Sequence, residues 1–170
     1  AKAPNILITS GSSDATSILL ESIHSAEPIG QFITTNIEHS SLLDRIAENP
    51  SHLVVKIQPN GSLNIEELKK SINDKTLLIS IQYVNNETGQ LLPIKEISKV
   101  VKEFRAERLK NQNKLPLFFH TDASQAATTQ DIQVPRLGVD AMSLNGSKFG
   151  AIPGSGILYL SSDILRWLDD

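Results

Sequence analysis

Two charged side chains that could act together on one small molecule follow neighbouring apolar segments late in the chain. Asp122 lies in residues 120–125 (HTDASQ), and Lys148 lies in residues 145–148 (NGSK). Open α/β sheets bind ligands just beyond the carboxyl ends of their strands. The two side chains form either a plain ion pair or the two groups that pyridoxal phosphate requires. In the second case the lysine amine condenses with the cofactor aldehyde, and the carboxylate keeps the pyridine nitrogen protonated.

A third segment, residues 9–14 (TSGSSD), stands between a predicted strand and a predicted helix. Small residues let the backbone approach an anion closely, and the free N–H groups of a helix N-terminus attract negative charge. The segment matches neither a P-loop nor a GxGxxG fingerprint. It indicates either an anion site or an ordinary strand–turn–helix connection with an N-cap at Ser12 or Ser13.

Two more segments carry polar groups at predicted strand ends. His39 closes residues 36–39 (NIEH), where it is either structural, packed flat against a planar ligand, or a proton carrier. Residues 84–89 (VNNETG) are typical of a turn, because two asparagines precede a glycine. The amide of Asn86 would alternatively make a good hydrogen-bond partner for a ligand hydroxyl or carboxylate.

Four of these polar residues could also be considered as metal ligands. They are Glu38, His39, His120 and Asp122. Their spacing matches no standard ligand pattern, and the chain has no cysteine to supply a thiolate. We therefore expect no metal site.

The elements that position these groups alternate between short apolar runs and helical patterns. Most of the runs are continuous and apolar, as strands buried on both faces should be. Predicted strands cover residues 5–9, 31–36, 53–57, 76–82, 117–121, 140–144 and 156–160. Predicted helices cover residues 13–25, 64–73 (with Asn64 as the N-cap) and 94–109. We expect an α/β fold with three α/β/α layers and a mainly parallel sheet of about seven strands, the last one antiparallel.

Composition and charge exclude several classes of protein. The 170 residues are 39% hydrophobic and 21% charged, with a net charge of −3, which is ordinary for a globular domain and unlike a nucleic-acid-binding surface. No apolar run approaches the roughly 18 residues that cross a membrane, and no signal-peptide core is present. A cytoplasmic location is the default expectation. Residues 105–114 are polar and predict a solvated helix end and loop.

Five segments, in this order, resemble fold-type-I pyridoxal-phosphate enzymes of the class-V aminotransferase family. The nearest resemblance is to cysteine desulfurases of the iron–sulfur-cluster assembly and nitrogen-fixation type. The segments are TSGSSD (9–14), IEH (37–39), VNNETG (84–89), HTDASQ (120–125) and NGSKFG (145–150). The Asn-Asn-Glu-x-Gly element is the most specific of them and indicates this branch of the family.

The resemblance implies a role for each matching residue. Lys148 would hold the cofactor covalently and later shuttle protons, and His39 would stack on the ring and take part in proton transfer. Asp122 would pair with the pyridine nitrogen, Asn86 would meet the substrate carboxylate or a neighbouring cofactor group, and Gln125 would hydrogen-bond the phenolic oxygen. The phosphate would be bound by Ser12, Ser13, Asn145 and Ser147.

Three departures from the family pattern concern the phosphate. The family usually has Thr at the position of Ser13, Ser at that of Asn145 and His at that of Ser147. All three residues present here can still donate hydrogen bonds. We therefore expect a rebuilt phosphate site, with the exact substrate chemistry open.

The resemblance also implies what the intact protein does. It would convert L-cysteine to L-alanine and pass the sulfur to an enzyme cysteine outside this chain, acting as a homodimer with an iron–sulfur scaffold or other sulfur-acceptor protein. Residues 1–170 would be the truncated cofactor-binding large domain, without an N-terminal segment and the C-terminal small domain, and inactive alone. The alternatives are a selenocysteine or sulfinate lyase of the same family, or a non-catalytic partner-binding module.

Overall fold

A computed structural model describes residues 5–169 of the chain. Seven strands and six α-helices alternate along it, as the pattern of apolar runs predicts. The strands are β1 (Ile6–Thr9), β2 (Gln31–Thr35), β3 (Leu53–Val55), β4 (Thr76–Ser80), β5 (Phe118–Asp122), β6 (Ala141–Asn145) and β7 (Gly156–Leu160). The helices are α1 (Ser12–Ala26), α2 (Ser40–Ala47), α3 (Ile65–Ser71), α4 (Ile94–Lys110), α5 (Val134–Leu137) and α6 (Ser162–Asp169).

All seven strands form one sheet in the order β1-β7-β6-β5-β4-β2-β3. Strands β2, β3, β4, β5 and β6 are parallel to one another, whereas β7 runs antiparallel to both of its neighbours, β6 and β1. The prediction of a mainly parallel, seven-stranded sheet with an antiparallel last strand is confirmed. Parallel strands place their carboxyl ends at one edge of the sheet, which is where the candidate side chains follow them.

Two apolar clusters cover the two faces of the sheet. Alternate residues of the central strands belong to different clusters, so that Ile79 and Phe119 pack with α3, α4 and α5, whereas Leu78 and Phe118 pack with α1, α2 and α6. Because side chains alternate along a strand, this division makes three layers with the sheet in the middle. The expected α/β/α architecture is confirmed.

The structure contains three helices that the sequence analysis did not predict, namely α2, α5 and α6. The predicted N-cap Asn64 is confirmed, since its side-chain oxygen accepts the backbone N–H groups of Glu66 and Glu67. None of the helices in residues 5–169 is long and apolar enough to cross a membrane.

The prediction of a solvated helix end and loop over residues 105–114 is wrong for its two arginines. Helix α4 continues to Lys110, and Arg108 is buried there with both terminal nitrogens donating to backbone carbonyls. Arg105 pairs with the carboxylate of Asp140 and donates to the carbonyl of Leu117. The two guanidinium groups therefore connect the end of α4 to the beginning of β5 and β6. Within residues 105–114, the solvated residues are the ones around these two arginines.

Candidate active site

A cavity of about 190 Å³ opens at the carboxyl ends of the central strands. It brings together all nine residues that the sequence analysis singled out as cofactor-binding. Those residues are Ser12, Ser13, His39, Asn86, Asp122, Gln125, Asn145, Ser147 and Lys148. Three further residues, Gln82, Val84 and Ser124, complete the lining and were not predicted.

Asp122 ends β5 and presents a half-satisfied carboxylate to this cavity. Its Oδ1 accepts the backbone N–H of Ser124 at 2.9 Å, whereas no hydrogen bond within residues 5–169 uses Oδ2. Burial raises the pKa of the Asp122 carboxyl, and hydrogen bonding from Ser124 together with the nearby charge of His39 acts in the opposite direction. A cationic or N–H donor in the cavity would therefore find an acceptor that the protein itself leaves open.

Lys148 lies in a short 3₁₀ turn, Gly146–Phe149, that follows β6 directly. It is exposed, and no carboxylate among the described residues pairs with its amine. The interpretation of Asp122 and Lys148 as a plain ion pair is therefore wrong. The two groups share a cavity without neutralising each other, which leaves the amine available to a ligand.

One end of the cavity is the N-terminus of α1, where Ser12 and Ser13 begin the helix. The N-cap is Gly11, whose backbone makes the cap without a side-chain hydrogen bond, so the expected side-chain cap at Ser12 or Ser13 is wrong. The N–H groups of the first turn thus have no side-chain acceptor. Gly156 of β7 allows this loop to lie close, since a Cβ built there would come within 2.5 Å of the Gly11 backbone. This close packing holds an uncapped helix end against the cavity, an arrangement suited to an anion.

Asn145 and Ser147 line the cavity near the N-terminus of α1, because Asn145 pairs with Gly156, which lies against Gly11. The Oδ1 atom of Asn145 accepts the backbone N–H of Ser147 at 3.1 Å and the Ser147 hydroxyl at 2.9 Å. Because these bonds occupy the oxygen, the orientation of the amide is set and its Nδ2 donor has no partner among the described residues. The pair therefore adds an open N–H donor next to the α1 N-terminus.

His39 follows β2 and caps the next helix with its ring. Its Nδ1 accepts the backbone N–H of Ser41 at 3.3 Å and lies 2.8 Å from the Ser41 hydroxyl, which makes His39 the N-cap of α2. The ring lines the cavity at the same time. His39 can therefore have a structural role and face a ligand at the same time. Its Nδ1 caps the helix, which leaves Nε2 for a ligand.

The two asparagines of residues 84–89 have separate tasks. Asn85 is buried and builds the turn, because its Oδ1 accepts from the backbone N–H groups of Glu87 and Thr88. Its amide also donates to the carbonyl of Ile37, beside His39. Asn86 is the one that lines the cavity. The turn interpretation thus holds for Asn85, and Asn86 remains the candidate for contacting a ligand.

Glu38 is buried and connects the end of β2 to the segment after β4. Its Oε1 is 2.5 Å from the Thr35 hydroxyl, and its Oε2 accepts the backbone N–H of Gln82 at 2.9 Å. Burial raises the pKa of Glu38 to about 8, while these two hydrogen bonds lower it and the charge of Asp122 raises it further. At neutral pH this carboxyl is therefore protonated, and Asp122 is the only acid lining the cavity.

His120 is fully buried within the sheet and does not line the cavity. Its ring nitrogens lie 2.8 Å from the Ser80 hydroxyl and 3.1 Å from the Ser143 hydroxyl, and burial lowers its pKa to about 3. No group of three or more His, Cys, Asp or Glu side chains in residues 5–169 is arranged to hold a metal ion.

Ser124 is the most informative of the residues that the sequence analysis missed. It is 7% exposed, and its hydroxyl oxygen is buried without a hydrogen-bond partner among the described residues. A buried hydroxyl without a partner is costly, so a polar ligand in the cavity is the natural complement. The only sequence signal was its place between Asp122 and Gln125.

Comparison with known proteins places the chain in a family. The family model described as aminotransferase class-V matches residues 1–169. The chain belongs to the class-V aminotransferase family. The resemblance carried by the five segments is therefore confirmed at the level of the family.

Individual relatives within the family are named as cysteine desulfurases or NifS-like proteins. A curated protein named cysteine desulfurase IscS, from Ehrlichia chaffeensis, is 34% identical over 166 residues, covering 94% of this chain. Two solved structures cover 94% of the chain: a NifS-like protein from Rickettsia africae, at 27% identity with a TM-score of 0.79, and a structure described as SspA in complex with cysteine, at 30% identity with a TM-score of 0.80.

The match covers only part of each relative. The chain spans 38% of the Ehrlichia chaffeensis protein, 41% of the Rickettsia africae protein and 45% of the SspA chain. The segment that the family model matches, residues 1–169, includes both Asp122 and Lys148.

Proposed function

We propose that this chain is the pyridoxal-phosphate-binding part of a cysteine desulfurase-like enzyme of the class-V aminotransferase family. The observation that carries the proposal is that Asp122, a half-buried carboxylate with one oxygen that no described residue bonds, shares a cavity with the unpaired amine of Lys148. Membership of the family and the named relatives support the same conclusion.

The residues of the cavity fit pyridoxal phosphate in three respects. An unpaired amine suits the cofactor aldehyde, and an open carboxylate oxygen suits a protonated ring nitrogen. The uncapped N-terminus of α1 suits a phosphate. The partnerless hydroxyl of Ser124 further indicates that a polar group fills the space. Pyridoxal phosphate, when bound, supplies an aldehyde that condenses with amines and a ring that accepts electrons from the substrate.

The phosphate-binding group in this proposal consists of Ser12, Ser13, Asn145 and Ser147. Backbone N–H groups of α1 and the Asn145 amide would donate to phosphate oxygens from two sides. Lys148, the one lysine or arginine that lines the cavity, lies in the turn that Asn145 caps. The departures from the family pattern at Ser13, Asn145 and Ser147 keep hydrogen-bond donors at each position.

The remaining side chains would orient the ring and move protons. Asp122 Oδ2 would accept the hydrogen of a protonated ring nitrogen, and Gln125 would donate to the phenolic oxygen. His39 would stack on the ring and carry a proton, and Asn86 would meet the substrate carboxylate. Lys148 would accept and return the proton at the α-carbon of the substrate, because a neutral amine is a competent general base.

For the intact protein we extend the proposal to L-cysteine as substrate and L-alanine as product. The relatives named cysteine desulfurase and the SspA structure described as containing cysteine support this substrate. The sulfur would pass to a cysteine outside this chain, because this chain contains none. The family resemblance supports a homodimer and an iron–sulfur scaffold or other sulfur acceptor, and a cytoplasmic location remains the default expectation.

The proposal is tested by trapping the cofactor on the protein. The chain is incubated with pyridoxal phosphate, reduced with borohydride and digested, and the modified peptide is identified by mass spectrometry. We expect the label on Lys148. The variant Lys148→Ala should lose the label, and Asp122→Asn should retain the site of labelling but weaken cofactor binding.

Lys114→Ala is the matched control, since Lys114 is exposed and remote from the cavity. It should bind and trap the cofactor as the unmodified chain does. Equal labelling of Lys148→Ala at another lysine, or labelling spread over many surface lysines, would refute the assignment of Lys148.

A further inference from the structure

A row of hydroxyl groups connects His39 to the N-terminus of α1. The Ser41 hydroxyl lies 2.8 Å from Nδ1 of His39, and the Ser13 hydroxyl lies 3.0 Å from the Ser41 hydroxyl. Ser41 does not line the cavity, and no sequence motif considered above includes it. Its two neighbours in the row, Ser13 and His39, both line the cavity. Ser41 therefore joins the anion-binding end of the cavity to the ring of His39.

The direction of these hydrogen bonds follows from one group that can only donate. The backbone N–H of Ser41 points to Nδ1 of His39, so Nδ1 must be an acceptor and carries no hydrogen. The Ser41 hydroxyl must then also donate to Nδ1, because two acceptors cannot bond each other. Since this uses its single hydrogen, the Ser41 hydroxyl accepts from Ser13. The donors thus run in one direction, from Ser13 to Ser41 to His39.

We infer that Ser41 is a positioning residue that holds His39 as the tautomer with hydrogen on Nε2. In this form the neutral ring offers the cavity a hydrogen-bond donor and keeps its acceptor turned to the helix. The tautomer of a histidine is commonly set by the bond at its other ring nitrogen. The inference deepens the proposed function, because it states that His39 meets the cofactor and substrate as a donor.

The inference is tested by ¹⁵N NMR of the histidine rings in the cofactor-free chain, at a pH where the His39 ring is neutral. We expect the His39 signals of a ring with hydrogen on Nε2. In Ser41→Ala the backbone N–H remains and the hydroxyl is lost, so the ratio of the two tautomers should fall by about threefold to tenfold, the worth of one hydrogen bond. Ser41→Thr, which restores a hydroxyl, should recover the ratio.

Ser40→Ala is the matched control, since Ser40 is the exposed neighbour of Ser41 on α2 and its side chain makes no hydrogen bond among the described residues. It should leave the tautomer unchanged. The signals of His24, His52 and His120 report whether each variant keeps the fold. Hydrogen on Nδ1 in the unmodified chain, or an unchanged ratio in Ser41→Ala, would overturn the inference. Because no cofactor is present, neither result depends on whether Lys148 binds pyridoxal phosphate.

Discussion

Glu38 accepts the backbone N–H of Gln82 through Oε2 at 2.9 Å, and this bond fastens the loop after β2 to the loop after β4. The side chain of Gln82 returns a bond to the carbonyl of Ile37, next to Glu38 in the chain. Two adjacent strand ends are thereby joined by reciprocal bonds directly below His39. The carboxyl that makes this connection is buried and is protonated at neutral pH, because burial raises its pKa to about 8.

The substitution Glu38→Gln should therefore become more stable relative to the unmodified chain as the pH rises. The unfolded chain loses the Glu38 proton near the ordinary pKa of 4.5, whereas the folded chain keeps it up to about pH 8. Between these values the folded state binds the extra proton, so the stability of the unmodified chain falls with rising pH. Above about pH 8 both states are ionised and the difference levels off. Glutamine cannot ionise and escapes this loss.

Urea unfolding of both proteins at several pH values from about 5 to about 9 measures the difference. Glu107→Gln serves as the control, since Glu107 is exposed on α4. A stability difference between Glu38→Gln and the unmodified chain that stays constant over this range would contradict a buried, protonated Glu38.

Ser124→Ala should have effects of opposite sign on stability and on cofactor binding. Without a ligand the Ser124 hydroxyl has no partner, so its removal should stabilise the chain by about 1 kcal/mol. If the hydroxyl bonds the cofactor, the same change should weaken cofactor binding by about threefold to tenfold. Thermal unfolding and equilibrium titration with pyridoxal phosphate give the two values. Weaker stability together with unchanged binding would show that Ser124 has a partner within the protein.

Arg108→Ala should destabilise the fold far more than an exposed substitution on the same helix. The guanidinium donates at 2.6–3.1 Å to four carbonyls, those of Asn73, Thr76, Leu115 and Pro116. Its loss leaves these acceptors without their donor, and we expect a decrease of about 3–5 kcal/mol in the free energy of unfolding. Lys110→Ala, two residues away and exposed, should change it by less than about 0.5 kcal/mol. Similar unfolding midpoints for the two variants would rule out this role.

Sulfide release from L-cysteine should not exceed the rate of free pyridoxal phosphate, even when the chain is loaded with cofactor. A thiolate is needed to attack the substrate sulfur, and this chain has no cysteine. Slow exchange of the α-proton requires only the amine and the ring and should persist. The assay compares the chain with Lys148→Ala in the presence of a reductant. Sulfide that depends on Lys148 would mean that the sulfur chemistry needs no cysteine.

Much of the sheet was predictable because each strand is marked by its own residues. A strand buried on both faces carries a continuous apolar run, as Leu77–Ile79 does in β4, so each run was visible on its own. The helices missed by the sequence analysis have weaker marks. Helices α2 and α6 have eight residues each, so a pair such as Leu42 and Ile46, four positions apart, spans most of the element and is too short a pattern to stand out.

The arginines of α4 were misjudged for a different reason. Their partners are backbone carbonyls, together with Asp140 some 35 residues away, and carbonyls leave no trace in the residue types. A charged run whose acceptors are backbone atoms looks the same as one facing water. Only the tertiary contacts of β5 and β6 distinguish the two.

The candidate site was predictable as a set of positions, since its residues follow strands whose ends meet at one edge. What the sequence could not supply is the state of each group. Whether Ser124 has a partner, which nitrogen of His39 is engaged and whether Glu38 is charged all depend on neighbours that are distant in the chain. Burial and hydrogen-bond partners set these properties, and both appear only once the chain is folded.

The position of β7 between β1 and β6 also bears on how the protein is made. In the described part of the chain β1 pairs with β7 alone, joining Ile6 to Tyr159 and Thr9 to Gly156. During synthesis β1 leaves the ribosome before β7 does, and it waits for about 150 further residues before its partner exists. The strands from β2 to β6 meet no such delay, so a parallel core can assemble first. The loop of Gly11 then takes its place against Gly156 only as the last strand closes the sheet, which makes the end of the cavity at the N-terminus of α1 a late product of folding.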